Sequence, residues 1–256
     1  LGQIEPERVL VDLTDALSLY YRRRAVTAPW WGLEAFRAGR LERAVARRYP
    51  VAVVSEHDRR AIDPGGRHRL MVLPNGTWPP GEGYQRHPVP GRLLTVGHWA
   101  YYPNRSGLER FLRQVWPLLL QRRPELELWV VGGGSALHPL PPRVRWVGAV
   151  EALEPLYAEA ERAVAPLFVG AGMKTKVLEA LAHRVPVITT PVGAEGLGSQ
   201  PGLRVVEAPE EWVSAVVDEP SPELSSSERG PLSWERTLAP ALDWMEASWG
   251  RRRGRR

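Results

Sequence analysis

The chain has no cysteine, only three phenylalanines and three methionines, and just two lysines among its 34 basic residues. Without cysteine it can form neither a disulfide nor a thiolate metal site, which fits a cytoplasmic location. No apolar run approaches the roughly 20 residues that a membrane-spanning helix needs, and no signal peptide opens the chain. Zinc-ligand spacing, a P-loop and a nucleophile elbow are absent too. Gly132-Gly133-Gly134-Ser135 lacks the G-x-G-x-x-G spacing and the acidic ribose ligand of a dinucleotide site. A real excess of charge is missing as well. The net charge is +5, and the five arginines of 251–256 account for all of it. With a neutral body the high pI says little about nucleic acid, and no nucleic-acid partner is expected. The tail is either a solvated end or a contact for anionic lipid headgroups at a membrane surface.

What is present is a soluble composition, 43% hydrophobic and 25% charged over 256 residues, enough for one large or two small domains. Strand and helix signals alternate. Val9–Leu13 reads as a strand, followed from Thr14 by a turn into a polar, arginine-rich segment. Over 32–48, Leu33, Phe36, Leu41, Ala44 and Val45 recur at helical spacing with arginines opposite, the pattern of a helix whose apolar stripe meets a core. Pro50 ends it before a buried strand, Val51–Val54. Ser55 caps a short helix closed by Pro64-Gly65-Gly66, and His68–Leu73 is a further strand. Residues 77–91, with four prolines and three glycines, read as an interdomain linker.

The alternation then restarts. Leu93–Gly97 is a strand, and Ser106 caps a helix over 107–121 striped by Leu108, Phe111, Leu112, Val115 and Leu119. Strands over 127–131 and 144–147 and a helix over 153–160 follow. After the stretch described next come a strand over 203–206, a helix over 209–217 and a Ser/Pro/Glu-rich loop over 218–232. A final amphipathic helix carries Trp234, Leu238, Leu242 and Met245 on one face. Such alternation predicts an α/β fold built on a doubly wound parallel sheet, with ligands at the carboxyl ends of its strands. Glycine turns gather there, at Gly97, Gly132, Gly148, Gly170 with Gly172, and Gly193.

Residues 163–198 carry the chemistry: a buried strand, a glycine turn, an amphipathic helix, a second buried strand and a second glycine turn. Gly170 and Gly172 leave the first N–H groups of the helix open to an anion, and Lys174 and Lys176 add positive charge. They are the two lysines of a chain that otherwise uses arginine. A compact ammonium at a glycine-led helix start suits a phosphate. Glu179 either accepts hydrogen bonds from a ribose or pairs with Lys176 on an exposed face. His98, His138 and His183 are not spaced as a metal site.

Pro166-Leu167 followed by Gly170-Ala171-Gly172-Met173-Lys174-Thr175-Lys176-Val177-Leu178-Glu179-Ala180, then Pro186–Thr190 and Gly193–Leu197, resembles the donor-binding half of a family 4 (group 1) glycosyltransferase. It is similar in particular to the exopolysaccharide-type branch with the motif P-L-x-x-G-A-G-x-K-x-K-x-L-E-A. Val96-Gly97, Tyr102-Pro103-Asn104, Val130–Gly132, Val147–Val150 and Ser233-Trp234-Glu235 match further landmarks. The resemblance covers 92–246, and more weakly 9–76 through Asp12, Asp15, Ser18, Ser55-Glu56 and Pro74–Gly76. Many members carry a glutamate at the position of Ala171, and an arginine and a lysine where this chain has Ala100 and Pro103.

The resemblance implies a GT-B fold: a Rossmann-like donor domain over 92–232, a partial N-terminal acceptor domain over 1–76, a linker over 77–91, a crossover helix over 233–248 and a basic tail over 249–256. It implies retaining transfer of a sugar from a nucleoside diphosphate sugar to a glycan or lipid-linked acceptor, with no metal, cofactor or covalent nucleophile. Lys174, Lys176 and Glu179 would form the catalytic set, Glu179 holding the ribose. The backbone at Ala171, Gly172 and Met173 would bind the diphosphate beside Gly170 and Thr175. Gly97 would approach the phosphates, and Gly148 the base. Asn104, Arg105, Gly132 and Val150 complete the donor contacts. Because the chain opens on Leu and matches only the last third of an acceptor domain, an N-terminally truncated protein is expected. Two other readings stay open: a non-catalytic nucleotide-sugar-binding module, and another GT-B enzyme such as a sugar epimerase.

Overall fold

The computed structural model describes residues 9–224 and 233–250. The basic tail at 251–256 and the 225–232 part of the Ser/Pro/Glu-rich loop lie outside the described residues. The chain divides into two compact units, Leu1–Gly76 with Val169–Met173 and Leu232–Arg256, and Thr77–Phe168 with Lys174–Pro231.

In the first unit, β1 (Val11–Asp12), β2 (Val51–Val53) and β3 (Leu70–Val72) form a parallel sheet in that order, with Val51 opposite both Val11 and Leu70. Helices α1 (Leu17–Ala25), α2 (Trp31–Arg48) and α3 (Glu56–Ile62) connect the strands. Ala16, Ala46, Val51, Val53 and Ile62 make the core. Ser55 caps α3 as expected, its Oγ accepting the Asp58 N–H at 3.1 Å.

One expectation for this unit is extended and another is corrected. The arginine-rich segment after Thr14 is a helix, α1, and its last turn carries Arg22, Arg23 and Arg24, which complement the negative end of the helix dipole. In α2 the expected core stripe points outward: Leu33, Phe36 and Leu41 are 55%, 58% and 65% exposed. Ala35, Gly39, Glu42 and Ala46 are buried instead. Close packing decides this. A Cβ at Gly39 would lie 3.5 Å from the Ser18 Cβ, and the Glu42 Oε1 accepts the Ser18 N–H at 3.0 Å near the start of α1. A carboxylate at a helix N-terminus and small residues at a close crossing outweigh the apolar stripe.

The second unit is a six-stranded, all-parallel sheet. Its strands are β4 (Arg92–Val96), β5 (Glu127–Val131), β6 (Val144–Gly148), β7 (Arg162–Ala165), β8 (Val187–Thr189) and β9 (Leu203–Val205), in the order β6-β5-β4-β7-β8-β9. The order reverses between β4 and β7, the switch point of a doubly wound sheet. Its helices are α4 (Tyr102–Gln114), α5 (Trp116–Arg122), α6 (Glu154–Glu159), α7 (Thr175–Ala182) and α8 (Pro209–Val213), the last continued by a π turn over Ser214–Asp218. Leu108, Phe111, Leu112, Val115 and Leu119 are all buried, in one cluster with Trp116, Leu128 and Trp212. The single helix expected over 107–121 is two. Ser106 lies inside α4 and donates to the Tyr102 carbonyl, while Pro103 occupies the first turn. Pro117 in the first turn of α5 explains the break at Val115: proline has no N–H for a continuing helix. Gly107 lets α4 meet the loop after β7, since a Cβ there would stand 1.8 Å from the Pro166 carbonyl oxygen.

Residues 77–91 carry neither helix nor strand, and their second half is tied to this second unit. The His87 and Val89 N–H groups donate to the Ala158 and Glu159 carbonyls, and Arg86 donates to the Arg184 carbonyl at 2.7 Å. The last helix, α9 (Trp234–Gly250), is grouped with the first unit. Its expected stripe is also partly outward, with Leu238 41% and Leu242 54% exposed while Thr237 and Ala241 are buried.

Candidate donor-binding site

The site candidates of the second unit lie at the carboxyl ends of β4, β5, β6 and β7. Gly97 follows β4, and a Cβ on it would come within 2.9 Å of the Lys176 Nζ and 3.2 Å of the Asn104 Nδ2. Lys176, from the first turn of α7, donates to the Asn104 Oδ1 at 2.6 Å, and Asn104 in turn donates to the His98 carbonyl at 3.0 Å. Trp99 flanks this group, with Nζ 6.0 Å from its ring centroid. The indole is itself fixed by its Nε1–H, which donates to the Val131 carbonyl at 3.1 Å.

Lys176 is thus brought together with Gly97 and Asn104 from the far side of the β4–β7 switch. Its ammonium is enclosed although the residue as a whole is only partly buried. Desolvation first, and the charge of Lys174 second, lower its pKa to about 7. Among the described residues it forms no ion pair. The pairing of Lys176 with Glu179 considered from sequence is therefore not formed.

Glu179 is half-buried. Burial raises its pKa, and the nearby His183 and the Tyr157 hydroxyl oppose that shift. The Nδ1–H of His183 donates to the Glu179 carbonyl at 2.7 Å, and its ring stacks on Tyr157 with centroids 4.7 Å apart. The tyrosine lies wholly buried, and its own pKa is pushed up by desolvation first and by the Glu179 charge second.

The other candidates are placed as follows. Gly132, at φ 121°, passes so close to β4 that a Cβ would stand 1.9 Å from the Gly97 oxygen. Only glycine allows that turn. Gly148 has open space where a Cβ would be, and Val150 beyond it is 39% exposed. Arg105 donates to the Ser135 carbonyl at 3.2 Å and pairs with Glu109. Thr175 is exposed at the start of α7. The expected diphosphate-binding backbone belongs to the first unit. There the Gly172 N–H donates to the Asp58 Oδ1 at 3.2 Å, Arg23 donates to the Gly170 carbonyl at 2.5 Å, and the Asn75 N–H meets the Met173 sulfur at 3.3 Å. Ala171 is buried with them.

Sequence reasoning missed Trp99, Tyr157 and Thr190. Thr190 accepts the Gly193 N–H at 3.1 Å and donates to the Leu167 carbonyl, which fastens the loop after β8 to the one after β7. The signal for Trp99 was its place between Gly97 and Asn104. Tyr157 carried no local signal, and Thr190 stood only as the end of the Pro186–Thr190 match.

Residues 90–218 match the family described as glycosyl transferases group 1, so the chain belongs to that family. It is similar to an uncharacterized 44.6 kDa protein in the cps region of Klebsiella pneumoniae, 26% identical over 137 residues, 48% of this chain and 35% of that protein. The fold is that of the GT-B glycosyltransferases. It resembles TarM with a TM-score of 0.66 at 13% identity, over 82% of this chain and 46% of TarM. It resembles Anabaena HepE, solved with UDP and glucose, with a TM-score of 0.59 at 12% identity, over 93% of this chain and 67% of HepE. The chain therefore spans less than half of the cps-region protein and of TarM. Among the described residues no helix is long and apolar enough to cross a membrane.

Proposed function

We propose that the chain is part of a retaining glycosyltransferase that moves a sugar from a nucleoside diphosphate sugar to the hydroxyl of a glycan or lipid-linked acceptor. The observation that carries this reading is the enclosed ammonium of Lys176, held against Gly97 and Asn104 with no carboxylate partner among the described residues. A cation so desolvated regains stability when an anion reaches it. The glycine turns at Gly97, Gly132 and Gly148 leave backbone exposed along the same rim for a flat, phosphorylated ligand.

In this reading the bond from the sugar C1 to the diphosphate oxygen breaks, the acceptor oxygen bonds to C1 on the same face, and the acceptor proton leaves with the diphosphate. Lys176, aided by Lys174, stabilises the charge that grows on the departing oxygen. Glu179 accepts from the ribose hydroxyls, and the open turn at Gly148 and Val150 receives the base. In this reading no step needs a cofactor or a metal ion. A donor of this kind is consistent with work at the cytoplasmic side of a membrane. Polysaccharide or glycoconjugate synthesis is the role we infer, and the cps-region relative supports it.

Calorimetric titration of UDP, GDP and ADP into the full chain tests the site. At least one should bind, and Glu179→Ala should weaken it by more than roughly tenfold. Unchanged affinity would remove Glu179 from the site, and no binding by any nucleoside diphosphate would end the donor reading. Binding without sugar transfer to any acceptor would leave a nucleotide-sugar-binding module.

A further inference from the structure

Glu179 has to carry its charge in surroundings that disfavour one. Burial raises its pKa, and the like charge of Glu154 on α6 raises it further. Among the described residues no lysine or arginine forms an ion pair with it. Yet to accept from ribose hydroxyls it must be ionised, since a protonated carboxyl donates from one of its oxygens.

Two rings stand against the burial. His183, at the C-terminal end of α7, donates from Nδ1 to the Glu179 carbonyl at 2.7 Å. Its ring is clamped: Tyr157 of α6 stacks on it at 4.7 Å between centroids, and Tyr84 meets it edge-on at 5.2 Å. The Tyr84 hydroxyl also donates to the His183 carbonyl at 3.2 Å. Tyr157 is wholly buried, and its hydroxyl makes no full hydrogen bond with any described group. The Glu179 carboxylate is near enough for each of the two to shift the other's pKa.

We propose that Tyr157 and His183 are positioning residues for the donor, which together hold Glu179 as an ionised acceptor for the ribose. The Tyr157 hydroxyl donates to the carboxylate, and His183 pins the turn that carries it. This deepens the donor reading and rests on it. A neutral donor steadies the charge and leaves the other oxygen open to the ribose, whereas a bidentate arginine would take both. Glu154 and Tyr157 of α6, His183 of α7 and Tyr84 of the 77–91 segment are the titratable groups around Glu179, with Arg86 and Arg184 beside Tyr84. Burial pushes the pKa of Tyr157 up and that of Tyr84 to about 12, so both phenols keep their protons where Glu179 titrates.

Two measurements on the full chain test this. Carboxyl-carbon NMR of glutamate-labelled protein follows the titration of Glu179 without nucleotide, the signal being identified by its loss in Glu179→Gln. Tyr157→Phe keeps the ring and its stack, and it should move the Glu179 midpoint to higher pH. Calorimetry with UDP, GDP and ADP reads the consequence. Tyr157→Phe should bind within about twofold of the parent at about pH 8, and roughly fivefold or more weaker at about pH 5.5. Lys176 titrates in both proteins, so the ratio of affinities isolates Glu179. His183→Phe keeps a ring between the tyrosines but loses the Nδ1–H, and should weaken binding roughly threefold or more. The proposal is overturned if the Glu179 midpoint does not move in Tyr157→Phe, or if His183→Phe binds like the parent. An affinity ratio for Tyr157→Phe that is the same at both pH values, the mark of a purely structural role, would overturn it too. A moved midpoint in a chain that binds none of the nucleotides would uphold the Tyr157–Glu179 contact and overturn the donor reading.

Discussion

Helices α2 and α4 both carry large apolar residues at helical spacing and bury opposite kinds of residue. In α4 the apolar stripe is the buried stripe: Leu108, Phe111 and Leu112 enter the cluster that includes Trp116 and Trp212. In α2 it is the surface, and Ala35, Gly39, Glu42 and Ala46 face inward. The sheets beneath them differ as well. The six-stranded sheet offers a broad apolar floor, whereas the three-stranded sheet is short and its core small. A helix over a broad floor gains most by burying its large residues, by about 25 cal/mol for each Å² of apolar surface. One held against a neighbouring helix by a glycine and a carboxylate gains from fit and hydrogen bonds. The lesson is that hydrophobic periodicity names a face, and the partner decides whether it is buried.

A third helix sharpens the contrast, because α7 draws a charge inward. Replacing that charge should have the largest effect. Lys176→Met should weaken nucleoside diphosphate binding by roughly 100-fold, the size of one lost charge-assisted contact. In the parent chain affinity should fall as pH rises above about 7, because the amine is then neutral in the free protein. Calorimetry across pH 6 to 9 (roughly) reads both effects, and a flat parent profile would take Lys176 out of the anion site. Stability should move the other way. The folded pKa lies below the model value of 10.5, so the unfolded chain holds the extra proton between the two values. Parent stability should therefore rise from pH 7 toward 10.5. The Met variant should be more stable by a few kcal/mol at or below pH 7, with the gain fading toward 10.5.

Phe111→Ala should cost about 3 to 5 kcal/mol in urea unfolding, because it opens a cavity in the large core beneath α4. Glu42→Ala should cost about 2 kcal/mol, leaving the Ser18 N–H without its acceptor. Phe36→Ser should change stability by no more than about 0.5 kcal/mol, since the ring covers no core. A loss of 2 kcal/mol or more would erase the distinction between the two helices.

The rim of the site was legible because its parts are local. Glycine turns after strands, two lysines in an arginine-rich chain and a carboxylate on the next helix can each be seen within a few residues. Their partners could not. Lys176 turned to Asn104, 72 positions away, rather than to Glu179 three positions on. Tyr157 stacked on His183 from another helix, and the Gly172 N–H went to Asp58 across 114 positions. The split of the helix at Val115 was readable in principle, because Pro117 is a local obstacle that the apolar stripe masked.

By itself, then, the sequence determined the order of strands and helices, the parallel α/β class and the glycine rim. Backbone torsions and side-chain periodicity follow from neighbours along the chain. Only the tertiary structure decided which face of α2 and α9 is buried, which residue holds Lys176 and how far its pKa falls. Those outcomes depend on groups brought together from distant positions, where desolvation and close packing outweigh local preference.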